Sequence, residues 1–505
     1  MPLPAVSTPS CSPCRTRAAL RQRSCSRGSG SPAEIPRLVS KAPKGRPYDG
    51  VVTSERFSRE QSIVVDAPAG CIAGWRDGEV IRATGIPYAR AERFEKPVPV
   101  NELGSFEARE WSPSAPQNAM EEPPLFGPEL RDLGVSEDCQ NLSITIPGDL
   151  REGEKLPVIV WIHGGSYVAG AGDSSFSDPA RWVAERRVIV VTVSYRLGVL
   201  GFLGSSLGPA NLGLLDQAEA FRWVRRNISS FGGDAARVTA LGESAGADAI
   251  LHHAAAMGRA ILDGRDEELL FDRAIALSPP LGIREGRSRM NALSARILEK
   301  RVRRESPIED LLAAQKAIET AAAPFGYAGS MPFGVQYGHD PLPPEESVLA
   351  AWHAIAPKVP LLISAVGTES SFFAHSMPFA RFLRGLPRLG ERAYWTFVDS
   401  ASRAVFTKDI AALSDEWGAA GGVAHRAVVP WSVPGNPFGS PHVTDIALLF
   451  SREDSWRSAL PFEGATWEEI DRAGADLRRY FTEFASGESD HPLTREPRAI
   501  RGHAA

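Results

Sequence analysis

The segment at residues 242–246 (GESAG) constrains this chain more than any other, because a serine between glycines at this spacing fits a tight turn from strand to helix. Residues 237–241 before it are partly β-branched, as in a buried strand, and residues 245–256 after it are rich in Ala and free of proline, as in a helix. Neighbouring backbone in such a turn leaves no room for a Cβ at the two glycines. The pattern predicts a nucleophile elbow that presents the hydroxyl of Ser244.

Apolar runs at residues 156–162 and 188–194 predict two further strands that are buried on both faces. Strand-like and helix-like segments alternate along the chain, and Ser306 followed by Pro307 predicts a helix start. This alternation is typical of an α/β protein with a mostly parallel central sheet flanked by helices. A net charge of -5 provides no field for nucleic acid, and no apolar run is long enough to span a bilayer.

Residues 1–48 differ from the rest of the chain, since they are rich in Ser, Pro and Arg and almost lack acidic residues. We expect this basic tail to be disordered, and its composition leaves open a transit peptide, a functional extension or a misassigned start. Residues 49–500 are expected to form one domain. Helical patterns at about 285–345 and 376–425 interrupt the strand rhythm and predict insertions that cover the active edge of the sheet.

The cysteines are few for 505 residues, and three of the five lie in the tail, which leaves Cys71 and Cys139 in the expected domain. A disulfide framework is therefore not expected, and the cytoplasm is the predicted location. The sequence has no P-loop, no H-E-x-x-H motif and no Rossmann glycine fingerprint, so neither a metal nor an organic cofactor is expected.

A serine is a poor nucleophile at neutral pH unless a base takes its proton and N–H groups stabilise the oxyanion that develops. Residues 163–167 (HGGSY) directly follow the run at 156–162, and their small side chains let backbone N–H groups point into a cleft. The residue after the nucleophile offers a further N–H. The candidate donors are Gly164, Gly165, Ser166 and Ala245.

Further motifs lie in a fixed order around these segments: GIPYA at 85–89, SEDC at 136–139, WIHGG at 161–165, SYRLG at 194–198, NLGLLDQ at 211–217 and FGGD at 231–234. In order and spacing they resemble the type-B carboxylesterases, the α/β-hydrolase group that includes cholinesterases and bacterial para-nitrobenzyl esterases. The resemblance is strongest from about residue 85 to 278 and extends as islands over most of the remaining chain. It implies an α/β-hydrolase fold with helical insertions over the active site.

The resemblance also implies the acid of a catalytic triad. In the family a glutamate follows a strand in a segment similar to P-L-L-I-G-T-x-x-D-E-G, and residues 360–370 (PLLISAVGTES) align with it without gaps. Glu369 is the matching acid. Thr368 and Ser370 stand where Asp and Gly are usual, which leaves the geometry of this loop open.

The family's histidine lies in a segment similar to residues 439–446 (GSPHVTDI), which implies His442 as the general base. His425 is its nearest rival in sequence but lacks the flanking pattern. Glu369 would accept the Nδ1–H of His442 and fix its tautomer. The order Ser244, Glu369, His442 is the one expected of an α/β-hydrolase.

The predicted function is hydrolysis of a small-molecule carboxylic ester through an acyl-enzyme on Ser244, with His442 as base and Glu369 as the orienting acid. Hydrolysis of a carbamate or amide by the same triad is an alternative. A second alternative is a non-catalytic binding protein of cholinesterase-like fold, although an intact triad argues against it. The predicted insertions resemble the family least, so the sequence leaves the substrate open, as it does the oligomeric state.

Overall fold

The computed structural model describes four stretches of the chain, residues 62–118, 125–265, 269–488 and 501–504. The tail predicted at residues 1–48 lies outside these described residues. The domain limits predicted from the sequence, including those of the two insertions, stay predictions.

The strands of the described stretches are β1 (Ser62–Ala67), β2 (Gly70–Asp77), β3 (Val80–Pro87), β4 (Ala89–Arg90), β5 (Val98–Pro99), β6 (Gly104–Glu107), β7 (Asn141–Pro147), β8 (Leu156–Ile162), β9 (Ile189–Val193), β10 (Gly233–Glu243), β11 (Arg273–Leu277), β12 (Leu361–Val366), β13 (Ala424–Val429) and β14 (Arg501–Ala504).

The α-helices of the described stretches are α1 (Ala180–Glu185), α2 (Gly198–Gly201), α3 (Leu212–Asn227), α4 (Ala245–Leu262), α5 (Ser288–Arg301), α6 (Ile308–Ala322), α7 (Val348–Ile355), α8 (Ser371–Ala374), α9 (Pro378–Arg384), α10 (Gly390–Ser402), α11 (Lys408–Ala419), α12 (Thr444–Phe450), α13 (Glu453–Trp456) and α14 (Trp467–Ser486). A π-helical turn at Arg403–Thr407 joins α10 to α11. None of the described helices has the length and apolar character that crossing a membrane requires.

Twelve of the described strands form one sheet in the order β1-β2-β3-β7-β9-β8-β10-β11-β12-β13-β14, with β6 paired to β2. The six neighbours from β9 to β13 in this order run parallel to one another. On one side of this parallel group, β1, β2, β3 and β7 pair antiparallel with their neighbours, and on the other side β14 pairs antiparallel with β13. Strand β6 is parallel to β2. The sheet is therefore mixed but mostly parallel at its centre, as the alternating sequence pattern predicted.

Strand β8 shows how helices cover both faces of the sheet, because all seven of its residues are buried. Val158 and Val160 point into a core that includes Ile250 of α4. Ile159 and Trp161 point into a second core formed with α12 and α14. Burying each such side chain contributes about 1.5–3 kcal/mol, so a strand with apolar side chains on both faces is stable only between two helical layers.

The predicted run at 156–162 coincides with β8, and the run at 188–194 is one residue longer at each end than β9. Helix α6 begins at Ile308, one residue later than the sequence predicted, with Pro307 at the N-cap position. The reason is local, since the Ser306 hydroxyl accepts the N–H of Arg303 at 3.0 Å and closes the preceding turn instead of capping the helix.

Gly258 provides a test of the packing between α4 and α7. A Cβ at this position would lie 1.8 Å from the carbonyl oxygen of Ala351, so we expect Gly258→Ala to lower the free energy of unfolding by about 2 kcal/mol or more. Gly418 is the matched control, because it is exposed within α11 with nothing within 4 Å of a Cβ. Gly418→Ala should stabilise the protein by up to about 1 kcal/mol. Chemical denaturation measures the free energy of unfolding of both variants. Equal changes in the two variants would contradict the close packing of α4 against α7.

Candidate active site

The candidate residues follow the carboxyl ends of four parallel strands, which meet at one edge of the sheet. β8 leads into residues 163–167, β10 into Ser244, β12 into Glu369 and, after a longer loop, β13 into His442. In α/β proteins ligands bind at this edge. The topology thus brings together residues that are up to 279 positions apart in the sequence, from 163 to 442.

Ser244 is held in a strained turn between β10 and α4, with φ 54° and ψ −122°. A Cβ at Gly242 would lie 2.5 Å from the carbonyl carbon of Gly246, and one at Gly246 would lie 2.0 Å from the carbonyl oxygen of Ile162. Both distances are far below van der Waals contact, so both positions require glycine. The turn has the strand-to-helix geometry that the pentapeptide predicted.

Backbone strain is concentrated around this turn. Ser166 and Tyr167 have φ of 54° and 60°, Ser278 after β11 has φ of 50°, and Val443 next to the candidate base has φ of 72°. Positive φ is uncommon for residues other than glycine and least tolerated by a β-branched side chain such as valine. Strained residues that persist in a folded protein cluster at functional sites.

The loop after β8 presents unpaired N–H groups beside Ser244. Within the described residues the N–H groups of Gly165 and Ser166 have no acceptor. Ala245 is the first residue of α4, so its N–H has no partner inside the helix. Gly164 packs against the nucleophile, because a Cβ there would lie 3.2 Å from the Cβ of Ser244. The four predicted donors therefore surround the serine.

His163 stabilises this loop from behind. Its Nδ1 donates to the carbonyl of Gly164 at 2.8 Å, and its ring stacks on Tyr195 with centroids 4.4 Å apart. The Tyr195 hydroxyl donates to the His163 carbonyl at 2.7 Å. Burial lowers the pKa of His163 to about 4, so the imidazole is neutral at physiological pH and serves the structure of the loop.

Tyr167 ties the same loop to the first turn of α4. Its ring is fully buried, and its hydroxyl donates to Oδ2 of Asp248 at 2.6 Å. The Tyr167 carbonyl accepts the N–H of Gly198 at 2.7 Å. These two bonds hold the strained backbone of the loop in place next to the nucleophile.

His442 and Glu369 form a close pair, with Nδ1 of the imidazole 2.6 Å from Oε2 of the carboxylate. The other oxygen, Oε1, accepts the N–H of Val366 at 2.8 Å, and the His442 N–H donates to the Glu369 carbonyl at 3.3 Å. A carboxylate oxygen accepts hydrogen bonds, so Nδ1 is the donor in this contact and Nε2 is the ring nitrogen left for proton exchange. Both side chains are buried, which keeps water from competing for these contacts.

Glu243 is a site residue that the sequence reasoning missed. Its Oε1 lies 3.0 Å from Nε2 of His442, although neither atom has a well-aligned hydrogen bond within the described residues. The Ser244 hydroxyl is likewise not hydrogen-bonded to the imidazole there. The only signal in the sequence was a carboxylate next to the predicted nucleophile, at a position that the pentapeptide pattern leaves unspecified.

Three carboxyl groups surround the imidazole and control its charge. Burial acts to lower the pKa of His442, but the negative charges of Glu243 and Glu369 outweigh it and raise this pKa well above its ordinary value. Asp445 is also buried, and burial together with Glu243 and Glu369 raises the pKa of its carboxyl group well above the usual range.

His425, the rival histidine, is far from this cluster along its strand. It lies near the start of β13, in register with Leu362 at the start of β12, and its ring contacts Phe484. The candidate residues follow the opposite ends of these strands. His425 therefore belongs to the other edge of the sheet.

A cavity of about 640 Å³ lies over Ser244. Besides Ser244 it is lined by Ser166, Ser330, Ser370 and mostly apolar side chains, namely Pro280, Ile283, Tyr327, Met331, Phe373, Met377, Phe397, Ala401, Val405 and Phe406. Most of the apolar lining residues lie within the two segments predicted as insertions. No cavity residue in those segments was predicted from the sequence.

A second cavity lies on the other side of the loop after β8 and is lined by Gly164, Gly165 and Glu243 as well as by polar side chains such as Gln117 and Asn118. Ser244 and the loop after β8 therefore border two mostly apolar cavities, of which the second also carries polar side chains. Within the described residues no three His, Cys, Asp or Glu side chains are grouped so that they could hold a metal ion.

Comparison with known proteins identifies the group to which this fold and site belong. The model of the carboxylesterase family matches residues 61–385, well over half of the chain. The chain belongs to the carboxylesterase family. A probable N-octanoylanthranilate hydrolase of Rhodococcus erythropolis is 35% identical over 431 residues, which are 83% of this chain and 92% of that protein.

Other carboxylesterases support the same assignment. The para-nitrobenzyl esterase of Bacillus subtilis is 34% identical over 333 residues, 61% of this chain and 63% of the esterase. The solved structure of a thermophilic PNB esterase superposes with a TM-score of 0.71 at 26% identity and covers 87% of this chain and 93% of that one. The predicted α/β-hydrolase fold and the predicted serine carboxylic-ester hydrolase activity are thereby confirmed, and the non-catalytic alternative is set aside.

Glu243 provides a test of the electrostatics around His442. An imidazole acts as a base only when it is neutral, so activity should fall as pH drops through the raised pKa of His442. Glu243→Gln removes one of the charges that raise this pKa, and we expect the acid limb of kcat/KM to move to lower pH. The pH profile of ester hydrolysis is the measurement. Glu369→Gln is the comparison variant, since it should move the acid limb in the same direction and also lower the plateau, because it removes the acceptor that orients the imidazole. An acid limb unmoved in Glu243→Gln would refute the assignment.

Proposed function

We propose that Ser244, His442 and Glu369 form the catalytic triad of this carboxylesterase and that acyl transfer proceeds through an ester of Ser244. The observation that carries the proposal is the 2.6 Å contact between His442 Nδ1 and Glu369 Oε2 beside the strained serine. This contact orients the imidazole and stabilises the imidazolium that forms when the base accepts a proton.

In the first half-reaction Nε2 of His442 takes the Ser244 proton while Oγ attacks the ester carbonyl carbon. The hydroxyl must turn toward Nε2 for this step, since the two are not hydrogen-bonded in the described structure. Such contacts commonly tighten when substrate binds. The imidazolium then protonates the leaving alcohol as the carbon–oxygen bond breaks, and water deprotonated by the same imidazole releases the acid.

The oxyanion that forms on the carbonyl oxygen would accept N–H groups from the loop after β8 and from the start of α4. We assign this role to Gly165, Ser166 and Ala245, with Gly164 as a further candidate donor. Their N–H groups are fixed by the surrounding backbone and need no reorganisation during the reaction. Removing a single donor of this kind typically costs about 3 kcal/mol of transition-state stabilisation.

The two cavities suggest how the substrate is divided. We assign the cavity over Ser244 to the acyl chain and the cavity beside Gly164, which also carries Gln117 and Asn118, to the leaving group. The carbonyl would then lie between them, within reach of Ser244. The apolar lining of the cavity over Ser244 favours an acyl chain longer than acetyl, because each buried methylene contributes about 0.8 kcal/mol.

Hydrolysis of an N-acyl amide is a second candidate, which the similarity to an N-octanoylanthranilate hydrolase over 92% of its length favours. The same triad serves both reactions, because His442 can protonate a leaving amine as well as an alcohol. The ratio of kcat/KM for an octanoyl anilide and for the matching octanoyl aryl ester decides which bond this enzyme prefers.

We further propose that residues 49–500 act as one domain with the insertions at about 285–345 and 376–425 forming its substrate cavity. A reducing, cytoplasmic setting is part of this proposal. The buried thiol of Cys139, which is free in the structure, supports it.

Ser244→Ala tests the nucleophile. We expect it to lower kcat for a short-chain aryl ester at least about ten-thousand-fold while the protein stays folded, because it removes the hydroxyl that forms the acyl-enzyme. Ser330→Ala is the matched control, since Ser330 lines the same cavity and its hydroxyl only donates to the Tyr327 carbonyl at 2.7 Å. Full activity in Ser244→Ala would disprove the mechanism.

Ala401→Phe tests the assignment of the acyl cavity. Ala401 is buried in α10 and lines the cavity, so a phenyl ring there should fill the space for a long chain. We expect kcat/KM for an octanoyl ester to fall about 100-fold while hydrolysis of the acetyl ester is retained. Parallel assays of the two esters check this, and the acetyl ester reports on folding. An equal loss on both would argue against the assignment.

A further inference from the structure

Helix α9 and the residues after it form an exposed patch that the hydrolytic mechanism does not use. Phe379, Phe382 and Leu389 expose 59%, 64% and 63% of their surface. Phe379 and Phe382 are three residues apart and so share a side of the helix, whereas Ala380 is fully buried and marks the inner side. We call Phe379, Arg381, Phe382, Arg384 and Leu389 the α9 patch. Clustered exposed apolar side chains of this size indicate an interaction surface.

The α9 patch is also basic. The guanidinium of Arg381 has no ion-pair or hydrogen-bond partner within the described residues, and that of Arg384 pairs with Glu391 at 2.8 Å. Both arginines line an open recess together with His375 and Tyr394. Burial and the positive charges of Arg384 and Arg381 lower the pKa of His375, which indicates that the recess has a positive field. The recess is therefore suited to an anionic group.

The α9 patch adjoins the wall of the apolar cavity. The Phe379 ring packs edge-on against Phe397, with centroids 5.7 Å apart, and Phe397 lines the cavity over Ser244. Met377, the residue before α9, lines the same cavity. A partner that covers the patch therefore lies beside the cavity that contains Ser244.

Apolar side chains interleaved with arginines fit the boundary between lipid headgroups and acyl chains, where rings are buried and cations meet anionic headgroups. A free phosphate would satisfy the arginines and leave both phenylalanines in water. A second copy of this chain, paired through the same patch by a two-fold axis, would bring the arginines of both copies together, and their repulsion disfavours it.

We propose that the α9 patch docks this carboxylesterase on an anionic lipid surface, with Phe379, Phe382 and Leu389 inserted among the acyl chains and Arg381 and Arg384 against the headgroups. Docking places the apolar cavity beside the lipid surface, so that an apolar ester or amide can reach it without crossing bulk water. The attachment is peripheral and does not depend on the chemistry at Ser244.

Co-sedimentation with lipid vesicles tests the proposal. The full chain should bind vesicles containing phosphatidylglycerol several-fold more tightly than vesicles of phosphatidylcholine alone, and added salt should weaken this binding. Arg381→Gln should weaken it about five-fold and Phe382→Ser about ten-fold. Neither residue lines the cavity over Ser244, so hydrolysis of a dissolved acetyl ester should be unchanged in both variants.

Leu262→Ser at the end of α4, where the side chain is 58% exposed, and Arg472→Gln on α14 are the matched controls and should bind as the unmodified chain does. Equal binding to both kinds of vesicle, or equal binding by the patch variants and the controls, would overturn the proposal. A concentration-dependent dimer that Phe382→Ser abolishes would assign the patch to a second copy instead. Vesicle binding is measured without substrate hydrolysis. The binding result therefore tests the α9 patch even if Ser244→Ala retains activity and the proposed nucleophile is wrong.

Discussion

The contact on which the site depends is the close approach of two backbone segments at the ends of β8 and β10. Gly246 lies so near the carbonyl of Ile162 that a Cβ would come within 2.0 Å of its oxygen. This approach forces Ser244 to a φ of 54° and presses Gly164 against it. The nucleophile and the loop of N–H donors are thus positioned by a single contact, and a larger side chain at Gly246 would separate them.

The second determinant is the set of three buried carboxyl groups around one imidazole. Burial of several like charges is unfavourable unless a cation or a bound proton compensates them. Here the carboxyls of Glu243 and Glu369 raise the pKa of His442, and burial together with the same two carboxyls raises the pKa of Asp445. The same negative charges would stabilise the imidazolium that forms when the base accepts a proton. These charges are in place before the reaction, so the imidazolium would form without rearrangement of the site.

Sequence patterns predicted those parts that depend on neighbouring residues or on motifs. β8 has the predicted bounds, and the strained turn at Ser244 lies between strand and helix as the pentapeptide indicated. The start of α6 was misplaced by one residue because the Ser306 hydroxyl bonds to Arg303. The pairing of Glu369 with His442 across 73 positions came only from the family resemblance, since no local pattern encodes such a contact.

By itself the sequence determined the alternation of strands and helices and the glycines of the elbow, because backbone sterics and hydrophobic periodicity act over a few residues. Glu369 and His442 followed only from the resemblance of their motifs to a known family. Only the tertiary structure decided that Glu243 lies 3.0 Å from the imidazole, that Phe397 and Phe406 line the cavity, and that Phe382 is left exposed. These properties depend on distances between segments far apart in the chain. The packing of the helices against the sheet sets such distances, and local propensity does not.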